Sequence, residues 1–207
     1  PGPVVARAKG APGAVELPPA GAGLYNIAIK GGPWVGWAPQ AVPGGAPVLV
    51  MAPLYSWQAA NPTDADLSGF PDVPPDPLTL GRPLAAGQET AIGTLGHVVA
   101  EARVATRRTV GAITDRAIED DGVPRSTRVL IIARAPVWTP GLYAALKRFR
   151  ARGGTIAILD ALSLSREARR SADAITITGP RPADVAALKP IWTISGTATA
   201  FARPRRG

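Results

Sequence analysis

Val48-Leu-Val-Met-Ala-Pro-Leu-Tyr-Ser-Trp-Gln-Ala-Ala-Asn-Pro-Thr-Asp-Ala-Asp-Leu-Ser-Gly-Phe-Pro-Asp72 decides how this chain is read. Its first five residues are apolar without a break, the pattern of a short strand covered on both faces. At Pro53 the run gives way to a polar and aromatic turn, Tyr55-Ser56-Trp57-Gln58, and then to a carboxylate-rich loop. A doubly covered strand running into such a loop is how open α/β sheets present sites at the carboxyl ends of their strands.

Downstream the pattern alternates between strand and helix. Glu89 to Ala105 reads as a helix with Ile92, Leu95, Val98, Val99 and Val104 on its apolar positions. Val110–Thr114 reads as a strand, Asp115–Asp121 as a helical turn, and Arg128–Ala133 as a second buried strand. Thr139 can cap the next helix, Pro140 suits its first turn and Gly153 can end it. Leu142, Leu146 and Phe149 form the inner stripe of that helix, leaving Lys147, Arg148, Arg150 and Arg152 to water. Thr155–Leu159 is a third buried strand, Ser165–Ser171 reads as helical, and Ala174–Thr178 and Ile191–Ile194 read as strands. The alternation predicts an α/β domain over 46–207 with a parallel sheet and helices on both faces.

Upstream, residues 1–45 read as β structure. Val4–Ala8, Leu24–Ile29 and Trp34–Val42 are strand candidates, the last two separated by the hairpin-like spacer Lys30-Gly31-Gly32. Two or three strands are marginal alone, so this segment is expected to dock on the α/β domain as the end of a β-sandwich. Trp34 and Trp37 are too apolar a pair to leave in one exposed patch.

The chain has 207 residues, 46% of them apolar, enough for one large domain with a small appendage. It has no cysteine, which excludes disulfides, thiolate metal sites and a cysteine nucleophile. No stretch approaches the ~18 apolar residues of a membrane-spanning helix. The Pro-Gly-Pro start reads as a piece of a longer or processed protein, with an upstream domain or a partner subunit as its natural neighbour. The formal charge is +8, but the arginines are scattered and no aromatic ladder is interleaved with them. A solvated arginine surface is therefore expected rather than specific nucleic-acid binding.

The strand ends would deliver Ser56, Trp57, Gln58 and Asn61, then Thr114 and Asp115, then Arg134 and Trp138, then Asp160 and Ser163. Trp57, Gln58, Asn61, Asp115, Arg134, Trp138, Asp160 and Ser163 are the ligand-pocket candidates. They contain no evident nucleophile–base pair. His97, the single histidine, falls mid-helix beside Val98 and reads as half-buried and structural, and no Gly-x-Ser-x-Gly elbow is present. A second signal lies in Asp64-Ala-Asp-Leu-Ser-Gly-Phe-Pro-Asp72. Asp64, Asp66, Ser68 and Asp72 occupy oxygen positions 1, 3, 5 and 9 of a calcium loop, Gly69 its turn, and Phe70 its backbone carbonyl. Position 12 is Pro75 instead of a bidentate carboxylate, so any calcium binding would be weak, and a plain Asx-turn loop is the alternative. A weak calcium site is useful only where calcium is plentiful, which favours an extracytoplasmic home.

Gly23-Leu24-Tyr25, Ala38-Pro39-Gln40-Ala41-Val42, Val48-Leu-Val-Met-Ala-Pro53, Trp57-Gln-Ala-Ala-Asn61, Val137-Trp-Thr139, Gly153-Gly-Thr155 and Asp160-Ala-Leu-Ser-Leu-Ser165, in that order, resemble the large subunit of the N,N-dimethylformamidase family. The resemblance covers about residues 17–170. It implies a β-sandwich strand pair leading into a flavodoxin-like domain of the class I glutamine amidotransferase type. It also implies where iron chemistry would sit, and there this chain departs. The tyrosine of the family's Trp-Gln-Ala-Tyr-Asn run is Ala60 here, and its Gly-His-Asp-Glu-Tyr-Trp run is Ala133-Arg-Ala-Pro-Val-Trp138. The expectation is a non-catalytic structural, interaction or ligand-binding module. A hydrolase with a rearranged site around Trp57, Asn61, Asp115 and Asp160 is the alternative, and a basic polyanion-binding module the weaker one.

Overall fold

In the computed structural model the described residues are 23–28, 34–40, 46–62, 76–82 and 89–191, with backbone alone at 23–28, 34–40 and 89–92. β1 (Gly23–Ala28) and β2 (Trp34–Gln40) pair antiparallel with Gly23 opposite Gln40, as the spacer predicts. β3 (Val48–Ala52), β5 (Val110–Thr114), β6 (Val129–Ile132) and β8 (Thr155–Ile158) form an all-parallel sheet in the order β5-β3-β6-β8. β2 runs near β5 at the edge of that sheet. A second, mixed sheet joins β4 (Leu78–Thr79), β10 (Ala174–Gly179), β9 (Arg166–Ser171) and β7 (Val137–Trp138), in that order. The helices are α1 (Leu54–Ala60), α2 (Glu89–Thr106), α3 (Asp115–Asp121) and α4 (Pro140–Ala151).

The quoted apolar run is β3, and every one of its residues is buried. Successive strand side chains point to opposite faces. Leu49 and Met51 join Leu130, Ile132, Ile156 and Ile158 against α3, α4 and the mixed sheet, where Ile118, Leu142, Leu146, Phe149, Ala168 and Ile175 complete one core. Val48, Val50 and Ala52 point the other way, to Trp57, Leu95, Val98 and Ala102 under α2. α4 is built as its sequence predicts: the Thr139 hydroxyl accepts from the Leu142 N–H at 3.1 Å. Gly153, at φ 88°, makes the left-handed return into β8 that a side chain would strain.

Four expectations are corrected. Ser165–Ser171 is not helical: Arg166–Ser171 form β9, a hairpin with β10 across Ala172 and Asp173, with Ser171 opposite Ala174. The stretch has no apolar alternation because only Ala168 is buried, so its strand state comes from pairing with β10 and β7, not from propensity. The Tyr55–Gln58 turn is instead the body of α1. Val104 is 75% exposed, since it lies nine residues beyond Leu95 and therefore on the opposite face of α2, where Ala102 takes the inward place. His97 is exposed, not half-buried. Val4–Ala8, Trp192–Ile194 and the loop Asp64–Asp72 lie outside the described residues. No helix is long and apolar enough to cross a membrane among the described residues.

Candidate functional site

α1 shows how the strand ends are used. Pro53 stands at its N-terminus with no side chain to cap it. The cap comes from the next strand: Asp115, the first residue of α3, is fully buried and takes the Tyr55 N–H on Oδ2 at 3.0 Å. Its Oδ1 takes the N–H of Arg116 at 2.8 Å. Burial pushes this carboxyl up to about 8, while the N–H groups of Tyr55, Arg116 and Leu54 pull the other way. Asp115 is thus the joint between two helix starts, and both of its oxygens face backbone.

Several other pocket candidates are used the same way. Gln58 donates from Nε2 to the carbonyls of Leu80 (3.2 Å) and Arg82 (2.7 Å), and its Oε1 accepts from Asn61 Nδ2 at 3.2 Å. Arg82 answers with Nη2 on the Gln58 carbonyl at 3.0 Å. These bonds hold the segment around β4 over the end of α1. Ser163 Oγ accepts from the Ala135 N–H at 3.2 Å, and Ser56 Oγ from that of Val137 at 3.0 Å, pinning the loop between β6 and β7. Trp138 donates Nε1–H to the Arg181 carbonyl at 2.8 Å and meets the Tyr143 ring edge-on, 5.6 Å between centroids. Asp160 accepts from its own turn at Leu162, and the exposed Arg134 stands 3.8 Å from its other oxygen. Trp57 is core, packed under α2. Among the described residues, Gln58 is bonded to Asn61 and Arg134 stands beside Asp160, while Asp115, Trp138 and Ser163 are tied to other neighbours.

The groups that do converge were missed. Tyr55 Oη donates to Glu119 Oε2 at 2.7 Å, and Thr139 Oγ1 donates to the same oxygen at 2.6 Å. Arg170, from β9, approaches that oxygen at 3.9 Å and holds Asp120 by both nitrogens, Nη2 to Oδ2 at 3.0 Å. Hydrogen bonding to Asp120 holds the Arg170 guanidinium above the ordinary arginine range, and Arg170 holds the Asp120 carboxyl below the ordinary carboxylate range. Burial first, and then the bond to Glu119, raise the Tyr55 phenol well above its usual value, so it remains a donor. One signal in the sequence could have found this cluster. Asp115, Ile118 and Glu119 are spaced i, i+3, i+4, which puts two carboxylates on the apolar face of a helix. Beside them lies a wide depression of about 510 Å³ between α3, α4 and β9, lined by Glu119, Asp120, Gly141, Ala144, Arg148 and Arg170. None of the eight pocket candidates lines it.

No group of three or more His, Cys, Asp or Glu side chains suited to a metal ion occurs among the described residues. The carboxylates proposed from sequence, Asp64, Asp66 and Asp72, with Ser68 and the Phe70 carbonyl, lie outside them. The buried side-chain nitrogens without a partner, among the described residues, are Nε and Nη1 of Arg82, whose guanidinium burial holds below the usual arginine range. Comparison with protein-family models and with curated proteins finds no match.

Proposed function

We propose that this chain is a non-catalytic α/β module, flavodoxin-like and akin to the C-terminal region of dimethylformamidase-type proteins, that works as an interaction or ligand-binding part of a larger protein. Three of the pocket candidates carry the reading. Gln58, Asp115 and Ser163, candidates at the strand ends, spend their polar atoms on neighbouring backbone and side chains. A side chain that serves as a backbone partner can leave that role only by stranding a buried polar group, at about 1–3 kcal/mol each. The flavodoxin-like assignment is supported by strand order. Numbered along the parallel sheet alone, β3, β5, β6 and β8 stand as 2-1-3-4, the first four places of a flavodoxin-like sheet.

In this reading the substitutions at Ala60 and across Ala133–Trp138 have removed the side chains able to hold iron. The Asp64–Asp72 loop would take calcium weakly, on the order of 10⁻⁴–10⁻³ M. The upstream β segment would connect the module to a preceding domain or a partner subunit. Incubating the purified chain with formamide and with N,N-dimethylformamide, each with ferrous iron supplied, tests the central claim. No hydrolysis above the buffer rate and no retained iron are expected. Turnover, or about one iron per chain after desalting, would overturn it.

A further inference from the structure

The depression between α3, α4 and β9 is bordered by one carboxylate oxygen and one guanidinium that lack partners among the described residues. Asp120 and Arg170 are matched to each other through two nitrogens and two oxygens. Glu119 is different. Tyr55, Thr139 and Arg170 all address Oε2, and no donor reaches Oε1 among the described residues. Buried unpartnered side-chain atoms are confined to Arg82 among those residues, so Oε1, on a side chain 15% exposed, is not fully buried. The Glu119 carboxyl lies against Gly141, where a Cβ would collide with Oε1. Arg148 lines the same depression, exposed, and forms no ion pair among the described residues. A carboxylate and a guanidinium thus border one depression without coming within salt-bridge distance of each other.

We propose that this depression binds a small amino-acid zwitterion, its ammonium on Glu119 Oε1 and its carboxylate on Arg148. Gly141 and Arg148 lie seven residues apart on one face of α4, about 10 Å along its axis. Helical side chains lean toward the N-terminus, so Arg148 leans back toward Gly141, and an extended amino acid with about five or six carbons is the ligand length to test. Ala144, between them, leaves the floor free of bulk. A volume of about 510 Å³ accommodates a ligand of this size. The site goes beyond the module reading and uses none of the strand-end residues, so either can fail without the other.

Titration of ¹⁵N-labelled protein with 6-aminohexanoate, followed by amide and arginine Nε resonances, tests it. Saturable shifts at Gly141 and Arg148 are expected, with hexylamine and hexanoate at least tenfold weaker because each satisfies one charge. Arg148→Gln, at an exposed position, should weaken 6-aminohexanoate at least tenfold while leaving hexylamine unchanged, and Gly141→Ala should abolish binding by displacing the Glu119 carboxyl. Absence of shifts at Gly141, equal binding of hexylamine, or an Arg148→Gln protein that binds 6-aminohexanoate like the wild type would each overturn the proposal.

Discussion

Replacing Asp115 by asparagine should reverse the order of stability of the two proteins between acid and mildly alkaline pH. The carboxyl ordinarily titrates at 3.8 and is pushed up to about 8 in the folded protein, chiefly by complete burial. The folded state therefore holds this proton more tightly than the unfolded chain. The stabilisation is fully present below 3.8 and is lost as pH rises through about 8. About four pH units at about 1.4 kcal/mol each make the loss on the order of 5 kcal/mol, a large share of the ~5–15 kcal/mol that holds a domain folded. Asparagine has no such dependence but carries a fixed penalty. Its amide nitrogen would face one of the two N–H groups, of Tyr55 or Arg116, whose bonds the carboxyl oxygens now accept. That costs about 1–3 kcal/mol. Near pH 4 the variant should be less stable by that amount, and near pH 9 more stable by a few kcal/mol. Urea unfolding monitored by tryptophan fluorescence at unit pH steps measures the difference. Asp120, held low by Arg170, titrates alike in both proteins and cancels. A difference that stays constant from pH 4 to 9 would refute the reasoning and show that the N–H groups outweigh burial.

Two further outcomes are expected, one from the structure and one from the sequence. Tyr55→Phe should lower stability by about 1.5–3 kcal/mol, the worth of a hydrogen bond to a charged group, and a double-mutant cycle with Thr139→Ala should show coupling because both hydroxyls share Glu119 Oε2; strict additivity would separate them. Millimolar calcium should raise the melting temperature of the wild type and not of Asp66→Ala, since a cation bound only by the folded state stabilises it, and identical melting with and without calcium would reduce the Asp64–Asp72 loop to a turn.

The sequence by itself determined what period and punctuation can encode. The unbroken apolar runs that begin at Val48, Val129 and Ile156 became parallel strands because a strand covered on both faces, fully or in part, needs no alternation. Thr139, Pro140 and Gly153 bounded α4 because caps act on their own helix within a turn. What only the tertiary structure decided is wherever one segment's state depends on a distant partner. Arg166–Ser171 is polar enough for a surface helix and is a strand because β7 and β10 offer it a ladder. α1 begins where it does because a carboxylate 60 residues away takes its first N–H groups. The candidate site followed the same division. Strand ends were legible, but whether Gln58, Asn61 and Ser163 face a ligand or a neighbouring backbone depends on how β4 and the 133–138 loop fold over them. Glu119 stayed hidden because its partners, Tyr55, Thr139 and Arg170, are scattered over more than 100 residues and meet only when α1, α3, α4 and β9 pack together.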